Sequence, residues 1–124
     1  MGNLGLLVLM DTNACVYVIK EHVGLEDALE RLFEEKVELA VLNECLLESK
    51  RLGFLEERAF GRFIEAFKPK IVEGGRRNVD GAVLAYAMKT GCVVCTGDIA
   101  LRKKLKAKGI RVIVFKKGGS LEVT

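Results

Sequence analysis

The chain has 124 residues, enough for one domain with a real core and too few for a second of ordinary size. Half of it is hydrophobic and one residue is proline, which excludes a disordered or low-complexity chain. A net charge of +3 permits a polyanionic partner without requiring one, and with no Trp, two Tyr and six Phe any base stacking rests on few rings.

Leu4 to Met10 is an apolar run interrupted only by Gly5 and stopped at Asp11, Thr12 and Asn13. So short a run fits a covered parallel strand. Asp11 either closes that strand or caps the next turn. Leu25, Ala28, Leu29, Leu32 and Phe33 then recur at helical spacing, and Val37 to Leu42 reads as a second strand. Asn43 is the expected N-cap of a helix with an apolar stripe through Cys45, Leu46 and Leu52. A further helix is expected from Leu55 to Phe67, ended with the help of Pro69, with a short strand at Ile71 and Val72. Gly74 to Asn78 is a basic glycine loop, and Val79 to Lys89 a helix closed by Gly91. Cys92 to Cys95 is a strand, Ile99 to Lys108 a helix ended by Gly109, and Ile110 to Phe115 the last core strand. Residues 116–124 form a basic tail expected to be partly ordered.

Strands alternate with helices and nothing repeats, so the expected fold is a single α/β domain over residues 1–124, a three-layer α/β/α sandwich on a central parallel sheet. No stretch is long enough to span a bilayer. The first apolar run lacks a basic leader and a cleavage site, and Leu6 follows Met1-Gly2 where a myristoylation signal needs Ser or Thr. A cytoplasmic location is expected, with Cys15, Cys45, Cys92 and Cys95 reduced and buried. The absence of Gln beside abundant Glu and Lys is a thermophilic trait.

Ligands of such sheets bind beyond the carboxyl ends of the strands. Of four Asp residues, Asp11 and Asp98 follow strands and Asp80 lies in the first turn of a helix; Asp27 reads as surface charge. Glu44 and Glu48 lie one turn apart after the second strand, so at least one reaches the same rim. Carboxylates that converge without a cation repel, and either their pKa values rise or a divalent ion resolves the conflict. The plainer reading is that Asp11, Asp80 and Asp98 serve turns and helix starts. Both readings stand on the residues alone.

At these residues the chain resembles the PIN-domain family of small metal-dependent ribonucleases, over nearly its whole length. Met10-Asp11-Thr12-Asn13 matches the family opening, Glu48 its early helical Glu with Glu44 as competitor, Val79-Asp80 its third acidic motif and Cys95-Thr96-Gly97-Asp98 its fourth. The nearest type is the archaeal single-domain PIN protein, similar to VapC toxins and to PIN nucleases of ribosomal RNA processing. The resemblance implies hydrolysis of RNA, with Asp11, Glu48, Asp80 and Asp98 holding Mg²⁺ or Mn²⁺. Thr12, Asn13 and Thr96 would orient those ligands. A homodimer is expected through exposed apolar helix faces, of which the Phe54 to Phe67 region is one candidate, and the resemblance implies an antitoxin or ribosomal-processing partner. Arg76, Arg77, Lys50, Arg51, Arg102 and Lys103 are the expected RNA contacts, although the Lys-rich helix after Asp98 reads equally as a solvated face. Gly81 and Gly97 depart from the family pattern, where a second Asp and an Asn are common, so a silent scaffold that binds RNA or protein is the alternative.

Other chemistry finds less support. Cys92 and Cys95 sit within an apolar strand run, not at the opening of a helix as a redox pair would. His22 is the sole histidine, expected at the surface near a loop, which leaves zinc sites and Ser-His-Asp triads nothing to build on. A phosphate-accepting receiver domain would need paired acids where Asp11-Thr12-Asn13 offers one.

Overall fold

A computed structural model describes residues 5–124. The Met1-Gly2 pair and Leu4 of the expected first strand lie outside the described residues. Five strands, β1 (Leu6–Met10), β2 (Val37–Leu42), β3 (Lys70–Val72), β4 (Val93–Cys95) and β5 (Val112–Phe115), pair in parallel in the order β3-β2-β1-β4-β5. A sixth, β6 (Leu121–Val123), joins β5 antiparallel. The tail is therefore ordered as far as Val123, and the parallel sheet gains an antiparallel edge. Lys116 and Ser120 close the hairpin, through the Lys116 N–H on the Ser120 carbonyl at 2.7 Å.

Six helices cover the sheet: α1 (Thr12–Lys20), α2 (Leu25–Phe33), α3 (Asn43–Ser49), α4 (Phe54–Phe67), α5 (Val79–Thr90) and α6 (Ile99–Ala107). Covered parallel strands read as continuous apolar runs, and Val8, Leu9, Met10, Ala40, Val41, Leu42, Val93, Val94 and Cys95 are all fully buried. Phe63 of α4 completes the core beneath α1 and stacks on Phe67 at 4.7 Å.

Several boundaries differ from expectation for physical reasons. Helix α1 went unrecognised because Thr12 to Lys20 carries Val16, Val18 and Ile19, residues of strand preference, on a segment buried by α4 and the sheet. Asn43 is the first residue of α3 and not its cap; the cap position is Leu42, with no side-chain bond. Cys92 precedes β4, and β5 begins at Val112, two residues later than expected. Lys68 ends α4 in the left-handed region at φ 46°, just before Pro69. His22 is exposed in the turn after α1, and all four thiols are buried and unpaired. No described helix is long and apolar enough to cross a membrane.

Candidate functional site

Strand β1 lies between β2 and β4, and the chain leaves it in one direction and returns beside it from the other. This is the switch point of the parallel sheet, where the connections diverge and leave a crevice. Asp11 stands there, its backbone N–H still on the Cys95 carbonyl at 3.0 Å. The same residue caps α1, so both sequence readings of Asp11, cap and site acid, describe one position.

Its carboxylate is held on both oxygens. Oδ1 accepts from the Thr12 N–H at 2.9 Å, and Oδ2 from the Thr96 hydroxyl at 2.8 Å. The hydroxyl of Thr12 donates to Glu48 Oε1 at 2.9 Å, while Thr96 Oγ1 accepts from the Asp98 N–H at 3.1 Å. Glu48, Thr12, Asp11, Thr96 and Asp98 thus form one row across the rim, from α3 to the start of α6. Asp11 is 8% exposed, and neither ion pair among the described residues involves it. Burial pushes its carboxyl above the usual carboxylate range; the Thr96 and Thr12 bonds oppose this, and the charges of Glu48 and Asp80 add to it. A buried acid without a cation, beside two others, is an arrangement that stability alone does not favour.

Asp80 occupies the first turn of α5, half-buried, behind the cap that Asn78 makes to the Gly81 N–H at 2.6 Å. A Cβ at Gly81 would stand 2.9 Å from Asn78 Oδ1, so a side chain there requires the Asn78 amide to shift slightly. Asp98 caps α6 through the Leu101 N–H at 3.0 Å, so one of its oxygens has a structural task. Among the described residues no three Asp, Glu, His or Cys side chains stand together closely enough to hold one ion. In kind, however, Asp11, Glu48 and Asp80 suit Mg²⁺ or Mn²⁺, being hard oxygen donors without a counter-charge. The neighbouring thiols of Cys45 and Cys95 are buried, and burial pushes Cys45 up to about 12 and raises Cys95 further.

Glu44 has a different employment. Its carboxylate accepts from the backbone N–H groups of Gly74 at 3.0 Å, Gly75 at 2.9 Å and Arg76 at 3.3 Å. It clamps the basic loop, and its oxygens are not part of the Asp11 row. Gly74 is required beneath the clamp, because a Cβ there would lie 2.8 Å from the Ala82 backbone.

Two clefts flank the row. One, of about 490 Å³, is lined by Glu48, Arg51, Arg76, Arg77 and Asn78 among others. The other, of about 630 Å³, is lined by Asn13, Tyr17, Asp98, Arg102, Phe115 and Lys116 among others. Asn13 is exposed and belongs to this second cleft, with no bond to a site carboxylate. Lys50 and Lys103 are exposed and line neither cleft. Tyr17, Phe115 and Lys116 were missed by sequence reasoning: Tyr17 lies on the unrecognised α1, and Phe115 reads as strand core.

The PIN-like domain family matches residues 8–117. The chain belongs to that family. Ribonuclease VapC4 of Methanocaldococcus jannaschii is 29% identical across 124 aligned positions that cover 94% of this chain and 95% of the relative. The PIN domain endonuclease Utp24 superposes with a TM-score of 0.81 at 18% identity, covering 94% of this chain and 90% of that one. VapBC2 of Rickettsia felis, solved with a DNA fragment from its promoter, gives 0.64 at 15% identity, covering 90% of this chain and 100% of that one. These two structural likenesses concern the fold.

Within this PIN-like domain Gly97 is open to substitution. A Cβ at Gly97 would meet nothing within 4 Å, and its backbone is not in the left-handed region. Gly97→Asn is expected to change the melting temperature by less than about 3 °C, since surface substitutions clear of special contacts stay within ~0.5 kcal/mol. A larger loss in a thermal melt would mean that the turn before Asp98 depends on glycine.

Proposed function

We propose that this PIN-like domain is a divalent-metal-dependent ribonuclease that hydrolyses RNA phosphodiester bonds at the Asp11 rim. The observation that carries the reading is Asp11 itself: a buried carboxylate at the switch point, fixed on both oxygens, raised by burial and by Glu48 and Asp80, and without a cation. Two of the proteins it resembles, a ribonuclease by sequence and a PIN domain endonuclease by fold, agree with it.

Asp11, Glu48 and Asp80 would hold Mg²⁺ or Mn²⁺, with Asp98 in support. Such an ion acidifies an attacking water and offsets charge developing at phosphorus. Thr12 and Thr96 fix the carboxylates that hold it, and no side chain becomes covalently attached. Arg51, Arg76 and Arg77 draw the RNA backbone toward an otherwise repulsive acidic row. The toxin and ribosomal-processing roles share this chemistry and differ in partner, an antitoxin in one and a precursor ribosomal particle in the other. Phe54 and Leu55, 70% and 66% exposed at the start of α4, are the surface on which a homodimer would form.

The second reading, a silent scaffold that binds RNA or protein, is favoured by the lack of three gathered metal donors among the described residues. Mn²⁺ titration separates the two. At a hundredfold excess over its Kd a ligand stabilises the folded state by about 2.7 kcal/mol, so the melting temperature is expected to rise on the order of 10 °C, with cleavage of single-stranded RNA abolished by EDTA. A flat calorimetric titration together with intact RNA leaves the scaffold reading standing.

A further inference from the structure

We propose that the cleft between the start of α1, the start of α6 and the end of β5 is a subsite for one unpaired nucleotide of the RNA, next to the phosphodiester at the Asp11 rim. The inference rests on the ribonuclease reading and adds how the substrate is gripped.

The cleft's walls differ in kind from those of its neighbour. On the Glu48 side the lining offers three arginines and no aromatic ring. On the Asp98 side Tyr17 and Phe115 stack at 4.6 Å with their planes 28° apart, and both line a space of about 630 Å³. That volume lies within the range of small-molecule sites and accommodates a nucleotide. Neither of the two ion pairs among the described residues uses Arg102, so its guanidinium is uncommitted; Lys116 is shared with Glu122 at 3.2 Å in an exposed pair. Asp98 at the edge repels a bare anion, so phosphate attraction alone does not fill this cleft. A base presenting a π-face to the rings, with its phosphate toward Arg102 and away from Asp98, uses the aromatic and the cationic parts of the lining together.

The selectivity follows from the same geometry. A paired base has its faces covered by neighbours in the duplex, whereas an unpaired base can be splayed out onto a ring. The subsite therefore favours single-stranded segments or loops.

The test uses full-length Asp11→Asn protein, which binds without cutting, and a labelled short single-stranded RNA in Mg²⁺, followed by fluorescence anisotropy. One base at a time is removed to leave an abasic nucleotide. Removal at one position, or two adjacent ones, is expected to weaken binding about tenfold or more, the effect of losing one base-aromatic stack. In Tyr17→Leu on the same background that position-specific penalty is expected to shrink to nothing, whereas Arg102→Gln, which loses a phosphate contact and no base contact, is expected to weaken binding of intact and abasic RNA alike. Should a variant fail to fold, 2-aminopurine placed at the sensitive position reports stacking on the unaltered cleft by its quenching. A flat abasic scan, or a penalty undiminished in folded Tyr17→Leu protein, overturns the subsite. If wild-type protein still cleaves RNA in that case, only the subsite falls. If Asp11→Asn binds no RNA and wild type cuts none, the ribonuclease reading falls with it.

Discussion

Asp11→Asn is expected to lower kcat/KM for RNA by at least about a thousandfold and, in metal-free protein at neutral pH, to raise the melting temperature by a few degrees. The two effects have one cause. Burial, reinforced by Glu48 and Asp80, raises the Asp11 carboxyl in the folded state above its unfolded value, against the pull of Thr96 and Thr12. An acid raised on folding binds its proton more tightly in the native state. Stability therefore falls as pH rises through the window between the unfolded and folded pKa values, and the full penalty is present above that window. Asn keeps the shape and an acceptor for the Thr12 N–H and removes the penalty. Mn²⁺ should reverse the ranking, stabilising wild type by offsetting the charge and leaving Asp11→Asn nearly unchanged. Thermal melts at pH 4 and pH 7.5, each with EDTA and with Mn²⁺, check this. If Asp11→Asn proves less stable at pH 7.5 in EDTA, the bonds to Thr12 and Thr96 outweigh the buried charge and Asp11 is chiefly a cap.

The legible parts of the fold were those where burial and local pattern agree. β1, β2 and β4 announce themselves as short apolar runs because a parallel strand covered on both faces has no polar side, and α4 and α5 because Pro69 and Gly91 mark where their apolar-rich segments stop. α1 was not legible: its Val16, Val18 and Ile19 prefer strands, and only packing against the sheet and α4 makes the segment helical. That omission hid Tyr17 and with it the aromatic wall of the second cleft. The acids at Asp11, Asp80 and Asp98 were legible because strand ends and helix starts locate them. The choice between Glu44 and Glu48 was not, since both lie on one helix face one turn apart. It depends on where residues 74–76 and Thr12 are in space, which is tertiary information. β6 was missed because Gly118 and Gly119 read as tail, whereas both adopt positive φ, 85° and 84°, in the hairpin turn.

The placement of residues 74–76 against Glu44 decides the second large effect. Glu44→Ala is expected to raise KM for RNA about tenfold with kcat changed less than about twofold, and to lower the melting temperature by about 3–8 °C. Three consecutive N–H groups converge on the Glu44 carboxylate, and backbone donors of this kind need an acceptor. Water replaces it in part at this half-exposed place, so the loss is ~1–2 kcal/mol. The loop so freed carries Arg76 and Arg77, which line one cleft with Glu48 and which the proposed ribonuclease would use to grip RNA. Burial alone would raise the Glu44 carboxyl, but the donors from Gly74, Arg76 and Gly75 outweigh it and hold it below its ordinary value. An acid lowered on folding contributes stability above its unfolded pKa and loses it as pH falls through the folded one, opposite in sign to Asp11. Acidification should therefore release the loop while relieving the Asp11 carboxylate. The kinetic split separates this role from metal ligation: a ligand's removal abolishes Mn²⁺ uptake and lowers kcat by orders of magnitude. Unchanged Mn²⁺ binding in Glu44→Ala, measured by calorimetry beside the raised KM, identifies a residue that places the RNA-gripping arginines, and lost Mn²⁺ binding returns Glu44 to the acid row.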